Sequence, residues 1–209
     1  MLWSAIHLVG CVPLTIGEKQ RPTTVTAWSG ELSLELLAYS LAAEWPQRVL
    51  SETNGENIVL SRAGRGDRVA GIWIQGASPP VLMVGAQGAE ARELMREGRS
   101  VLAIDVFQPK RDQTVRHFLT FNKTDDANRV QDILTALAYL NVPNVRLVGR
   151  GKAAVWCLFA AALAAQPVEL RADLAGFSGS DQNFIDSFFV PGIQRAGGLR
   201  AARLAAGVP

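Results

Sequence analysis

Residues 145–165 read VRLVGRGKAAVWCLFAAALAA, and the reading of the fold turns on them. Val145 to Val148 is a short apolar run bounded by glycine, the pattern of a buried strand. Gly149-Arg150-Gly151-Lys152-Ala153 is a turn by composition. From Gly151 to Ala165 almost every position is apolar, which reads as a helix buried on nearly all sides. A strand that passes through a turn of small residues directly into a buried helix belongs in a layered α/β structure, where strand and helix pack closely.

Reading outward, the same alternation continues on both sides. Upstream, Asn128 to Leu140 places Val130, Ile133, Leu134 and Leu137 at helical spacing. Val101 to Val106 is a second buried strand, Ala89 to Glu97 a short helix, Gly85 to Gly88 a loop, and Val81 to Val84 another continuous apolar run. Downstream, Leu170 to Phe177 reads as a fourth strand. Further upstream, Asn57 to Ser61 and Val69 to Gln75 flank the turn Gly64-Arg65-Gly66-Asp67, which suits an antiparallel hairpin. Glu31 to Ala43 has helical periodicity and stops at Trp45-Pro46, because the residue before proline is pushed out of the helical region.

Short apolar strands alternating with helices imply a mostly parallel twisted sheet covered on both faces, with the hairpin at its N-terminal edge. The expected division is residues 1–44 as leader and helix and residues 45–209 as one α/β domain. Ligands of such sheets bind beyond the carboxyl ends of the strands. That singles out the loops 85–90, 107–126, 149–153 and 176–188.

Composition narrows the function classes. The chain has 209 residues and a formal net charge of +2, with no run of Lys or Arg, so no nucleic-acid footprint is indicated. The two histidines and two cysteines have no zinc spacing, so no metal site is expected. Cys11 and Cys157 read as free thiols, and Trp156, Cys157 and Phe159 as core, not as a cofactor box; no cofactor is expected. No segment has the length of a membrane span. Leu8-Val9-Gly10-Cys11 looks like a lipoprotein cleavage box, but no basic residue precedes it, which leaves the cytoplasm as the default compartment.

Three further stretches carry a family resemblance: Gly64 to Val69 (GRGDRV), Thr124 to Ile133 (TDDANRVQDI) and Gly176 to Asp181 (GFSGSD). Together with the order hairpin, strand, helix, strand, helix, strand, turn and buried helix, they make residues 45–205 resemble the α/β-hydrolases, in particular the acetyl xylan esterase-like branch. The resemblance implies an ester hydrolase acting on short acyl or acetyl groups, such as those of carbohydrate esters. In that superfamily a nucleophilic serine sits in G-x-S-x-G between strand and helix. Here the serine position is Gly151, which has no group to attack a carbonyl, and the last glycine is Ala153. The family places its histidine late, yet no histidine follows His117. The fold is therefore expected to be C-terminally incomplete relative to the family, with an unpaired last strand that a homo-oligomer would cover.

Two functions stay open. An esterase would need a substitute nucleophile. Ser178 is the candidate, with Asp181 three positions later and His117 as base; the alternatives are a turn or N-cap serine and a structural histidine. A non-catalytic binding or structural domain would keep only the cradle. Gly85 and Gln87 are the candidate oxyanion loop, and Gly151 with Lys152 the candidate anion site, where helix N–H groups and the helix dipole favour negative charge. A turn kept small for packing is the alternative there. Asp125 and Asp126 read as helix caps, not metal ligands.

Overall fold

In the computed structural model, residues 34–85, 88–109 and 122–208 are described. Gln87 and His117 lie outside them, as does the leader with Cys11. The chain begins with helix α1 (residues 34–41). There follow β1 (Val49–Asn54), β2 (Asn57–Arg62), β3 (Val69–Ile74), β4 (Ser78–Val84), α2 (Gly88–Arg96) and β5 (Arg99–Asp105). Then come α3 (Asp125–Leu140), β6 (Val145–Gly149), α4 (Ala153–Leu163), β7 (Val168–Ala172), α5 (Asp181–Ser187) and α6 (Gly198–Ala205). The strands form one seven-stranded sheet in the order β1-β2-β3-β5-β4-β6-β7.

The pairing confirms the α/β sheet and its antiparallel N-terminal edge. β1, β2 and β3 run antiparallel to their neighbours, and β3 is antiparallel to β5. β5, β4, β6 and β7 are mutually parallel. The central position of β4 explains its unbroken apolar run: Val81, Leu82, Met83 and Val84 are all fully buried, because both faces are covered. Side chains alternate between faces. Leu82, Val84, Leu102 and Leu147 join the main core with Leu37 and Leu41 of α1 and the inner sides of α3 and α4. Val81, Met83 and Val101 join Ala91 of α2 in a much smaller core on the opposite face. No helix among the described residues is long and apolar enough to cross a membrane.

Two elements missing from the sequence reading, β1 and α6, and two shifted boundaries show what it could not see. β1 has no counterpart there, because every residue after Val49 is exposed and shows no apolar alternation; it is a strand because the register Val49↔Arg62 to Asn54↔Asn57 holds it to β2. The last strand is Val168–Ala172, not Leu170 to Phe177. It ends where the Asp173 carboxylate accepts the Ala175 N–H (2.9 Å) and the Phe177 N–H bonds Leu174 O (2.9 Å), both of them turns. α4 starts at Ala153, not Gly151. α6, Gly198–Ala205, has a left-handed glycine as its N-cap, Gly197, and another as its first residue, Gly198, a start that sequence periodicity does not flag.

α3 carries the ties between layers. Thr124, not an aspartate, is its N-cap, its Oγ1 accepting from Ala127 N (3.3 Å). Asn141 closes the other end in the left-handed conformation (φ 47°). Gln131 clamps the chain after α1, accepting from Glu44 N and donating to Glu44 O, both at 2.9 Å. Asp126 is committed to structure: Oδ1 accepts from Arg129 Nη1 (2.9 Å) and Trp156 Nε1 (2.8 Å), and Oδ2 accepts from Phe189 N (2.8 Å). One carboxylate thus joins α3, α4 and the segment after α5. That segment is packed on α4 by Phe188, stacked on Phe159 at 4.4 Å between centroids, with Phe184 edge-on to both.

Substituting Asp126→Ala strands three donors, one of them a guanidinium only 16% exposed. Such losses cost about 3 kcal/mol. Urea unfolding of the variant should show that decrease in stability, whereas Asp125→Ala should lose less than about 1 kcal/mol.

Candidate functional site

The elbow after β6 is built by two glycines with opposite requirements. A Cβ on Gly149 would lie 2.7 Å from Cys157 Sγ and 2.8 Å from Ala153 O, so only glycine lets α4 approach β6 this closely. Gly151 has φ +57°, the left-handed region, yet a Cβ there would meet nothing within 4 Å. The turn is closed by Ala153 N to Arg150 O and Ala154 N to Gly151 O, both at 3.1 Å. Cys157 is fully buried beneath it, and burial pushes its thiol pKa up, which makes it an inert packing residue.

The loop leaving β4 meets this elbow. Gly85, also left-handed, lies so close that a Cβ on it would be 3.3 Å from Ala153 Cβ. Between Gly85, the end of β5 and the elbow lies a cavity of about 270 Å³, lined among others by Asp105, Gln108, Arg150, Lys152 and Trp156. It sits beyond the carboxyl ends of β4, β5 and β6, as expected for this type of sheet. The structure therefore brings Gly85 of the candidate oxyanion loop together with Lys152 of the candidate anion site, with Gly151 on the turn between Arg150 and Lys152. Among the described residues the exposed Lys152 ammonium has no hydrogen-bond or ion-pair partner.

The opposite wall is held from α3. Phe107 N donates to Asp132 Oδ2 (2.7 Å), and Phe107 O accepts from Arg129 Nε (3.1 Å). Arg129 also stands over the Trp156 ring at 4.7 Å. Asp132 is buried, and its pKa is raised to about 7. Desolvation is the main cause and Asp67 adds to it, while the Phe107 N–H, Arg62 and Arg129 oppose it. Asp132 and Arg129 were not singled out from sequence; on a helix they show only the ordinary polar spacing of a solvated face.

Ser178 and Asp181 lie elsewhere. Ser178 Oγ donates to Asn183 Oδ1 (2.6 Å), which also accepts the Ser178 N–H (2.8 Å). The N-cap of α5 is Ser180, whose Oγ accepts from Asn183 N (3.3 Å). Asp181 accepts from Gln194 Nε2 (2.5 Å) and borders a second cavity of about 410 Å³, lined by Phe184, Ile185 and Phe189 among others. The two cavities share no residue, and Ser178 lines neither.

No family model matches the chain, and no curated protein matches it. Among solved structures it is similar to acetyl xylan esterase 1 from Thermoanaerobacterium sp. JW/SL YS485, at 16% identity and TM-score 0.44, over 68% of this chain and 56% of that one. It is also similar to an epoxide hydrolase from Vigna radiata, at 16% identity and TM-score 0.33, over 55% of this chain and 35% of that one. A third is naproxen esterase from Bacillus subtilis, at 18% identity and TM-score 0.32, over 67% and 47%. The structural neighbours are α/β-hydrolase members. The chain spans about half or less of the length of these three.

Gly151→Ser should fold, because its Cβ enters open space, and the left-handed backbone should cost only about 1–2 kcal/mol in a thermal melt. Asp132 binds its proton more tightly folded than unfolded, so its contribution to stability is complete below pH 4 and is lost as pH rises through about 7. Asp132→Asn, which keeps an acceptor for Phe107 N, should match wild type near pH 4. It should gain on wild type up to pH 8 by an amount approaching about 4 kcal/mol, read from urea midpoints at each pH.

Proposed function

We propose that the chain is a hydrolase-like domain that binds without cleaving, and that the cleft at the elbow takes a small carboxylate or ester carbonyl. The observation that carries this reading is Gly151. The turn keeps the left-handed conformation at the residue where the resembled family presents its serine, but the residue presents no side chain. Beside it, Lys152 offers an uncommitted ammonium in a cavity with room for a small ligand. Among the described residues that line the cavity, Asp105 is the only carboxylate, and Arg150 and Lys152 outnumber it.

The esterase alternative assigns short acyl or acetyl esters, such as carbohydrate esters, to Ser178 with His117 and Asp181. Ser178 gives its proton to a carboxamide oxygen, which does not act as a general base, so no observation favours that route.

Calorimetric titration with acetate and with a short non-hydrolysable ester analogue tests the proposal. Binding should weaken at least tenfold in Lys152→Ala, the size of one charge-assisted hydrogen bond, and be unchanged in Ser178→Ala. Turnover of p-nitrophenyl acetate should not exceed that of buffer. An enzymatic rate that disappears in Ser178→Ala would overturn the binding reading in favour of the esterase.

A further inference from the structure

β7 (Val168–Ala172) pairs with β6 along one side, and among the described residues no strand pairs with the other. Burial falls off accordingly. Val145 and Leu147 of β6 are buried, whereas Val168 and Leu170, their partners in register, are only half-buried. α6 packs on α4, and no proline or bulge interrupts β7. An uninterrupted strand edge of this kind is a template for another strand.

The order of charges along β7 selects what that strand is. Val168-Glu169-Leu170-Arg171-Ala172 has an acid and a base one position either side of Leu170. If two copies of β7 meet antiparallel about a two-fold axis through Leu170, Glu169 of each faces Arg171 of the other, Val168 faces Ala172, and Leu170 faces itself. Directly opposed cross-strand pairs of opposite charge stabilise such a ladder, and like charges oppose it. Glu169 and Arg171 lie on the sheet face opposite the main core, where Arg146 of β6 also bonds Glu169 (3.3 Å). In the single chain Glu169 pairs with Arg171 along its own strand (2.6 Å), so the exchange keeps every charge matched. β1, the opposite edge, offers no such match, because its one charge, Glu52, has no cation within the strand.

We propose that β7 is a homodimer interface, in which two copies of the chain join their sheets through antiparallel β7–β7 pairing centred on Leu170. The interface is isologous: the same patch serves both partners and closes after two copies. It is separate from the elbow cleft, since none of its residues lines that cavity.

The register makes the test specific. The 209-residue chain should give a dimer mass by light scattering at tens of micromolar. Arg171→Glu would set an acid opposite Glu169 at both ends of the paired strands. Glu169→Arg would set a base opposite Arg171 at both ends. Each variant alone should dimerise about tenfold more weakly or not at all. Mixed in equal amounts, the two variants should form a heterodimer, since each acid then faces a base again. Circular dichroism melts verify that each variant is folded. Independently of the variants, amide exchange across residues 168–172 of the wild-type chain should slow as concentration rises. A wild-type monomer at all concentrations, variants that dimerise as well as wild type, or a mixture that fails to associate would each overturn the proposal.

Discussion

The Asp126 carboxylate is the point on which the layers of this molecule are fixed relative to one another. It stands at the start of α3 and has no free oxygen: a guanidinium, an indole N–H and a backbone N–H use both. Each donor comes from a different place, so one buried anion sets the spacing of α3, α4 and the segment after α5. The same Arg129 and Trp156 form part of the wall behind the elbow cleft, and Arg129 reaches on to the carbonyl of Phe107. The cleft is thus shaped by a polar knot placed behind it, while the apolar core beneath supplies most of the burial.

Much of the fold was legible because burial on both faces leaves an unmistakable pattern. Val81 to Val84 and Val145 to Val148 are apolar with little interruption since they are interior strands, and α4 is apolar all round since it lies between sheet and C-terminal segment. What was not legible depends on partners distant in sequence. β1 is a strand only because β2 is beside it, and α6 is announced by a pair of left-handed glycines, not by a preceding cap side chain. The turn that ends β7 early is made by Asp173 and backbone groups, while the apolar residues beyond it, Leu174 and Phe177, serve the helical layer.

The candidate site was legible in part for the same reason. The elbow and Gly85 follow from the strand-to-loop punctuation, and they do meet. Asp132 and Arg129 could not be picked out, because their importance arises from burial against Phe107 and Trp156, which helical spacing alone does not report. Asp125 and Asp126 looked like interchangeable acids at a helix start. The helix rotates one of them into the knot and leaves Thr124 to do the capping. Glycine at 149 and glycine at 151 looked alike too, yet the first is demanded by contact and the second only by backbone conformation.

The unequal division of the core has a dynamic consequence. The elbow wall of the cleft belongs to α4 and so to the large cluster that unites α1, α3, α4 and the phenylalanines near the C-terminus. On the β4 side the chain continues to α2, whose Ala91 and Leu94 pack on a small patch of sheet made by Val81, Met83, Val101, Ala103 and Val148. Local opening free energy scales with the apolar contacts that must be broken. On that scale the two sides of the cleft differ in anchorage: α4 is held by the large cluster, whereas α2, which follows the β4 side, is held by a small and separate one.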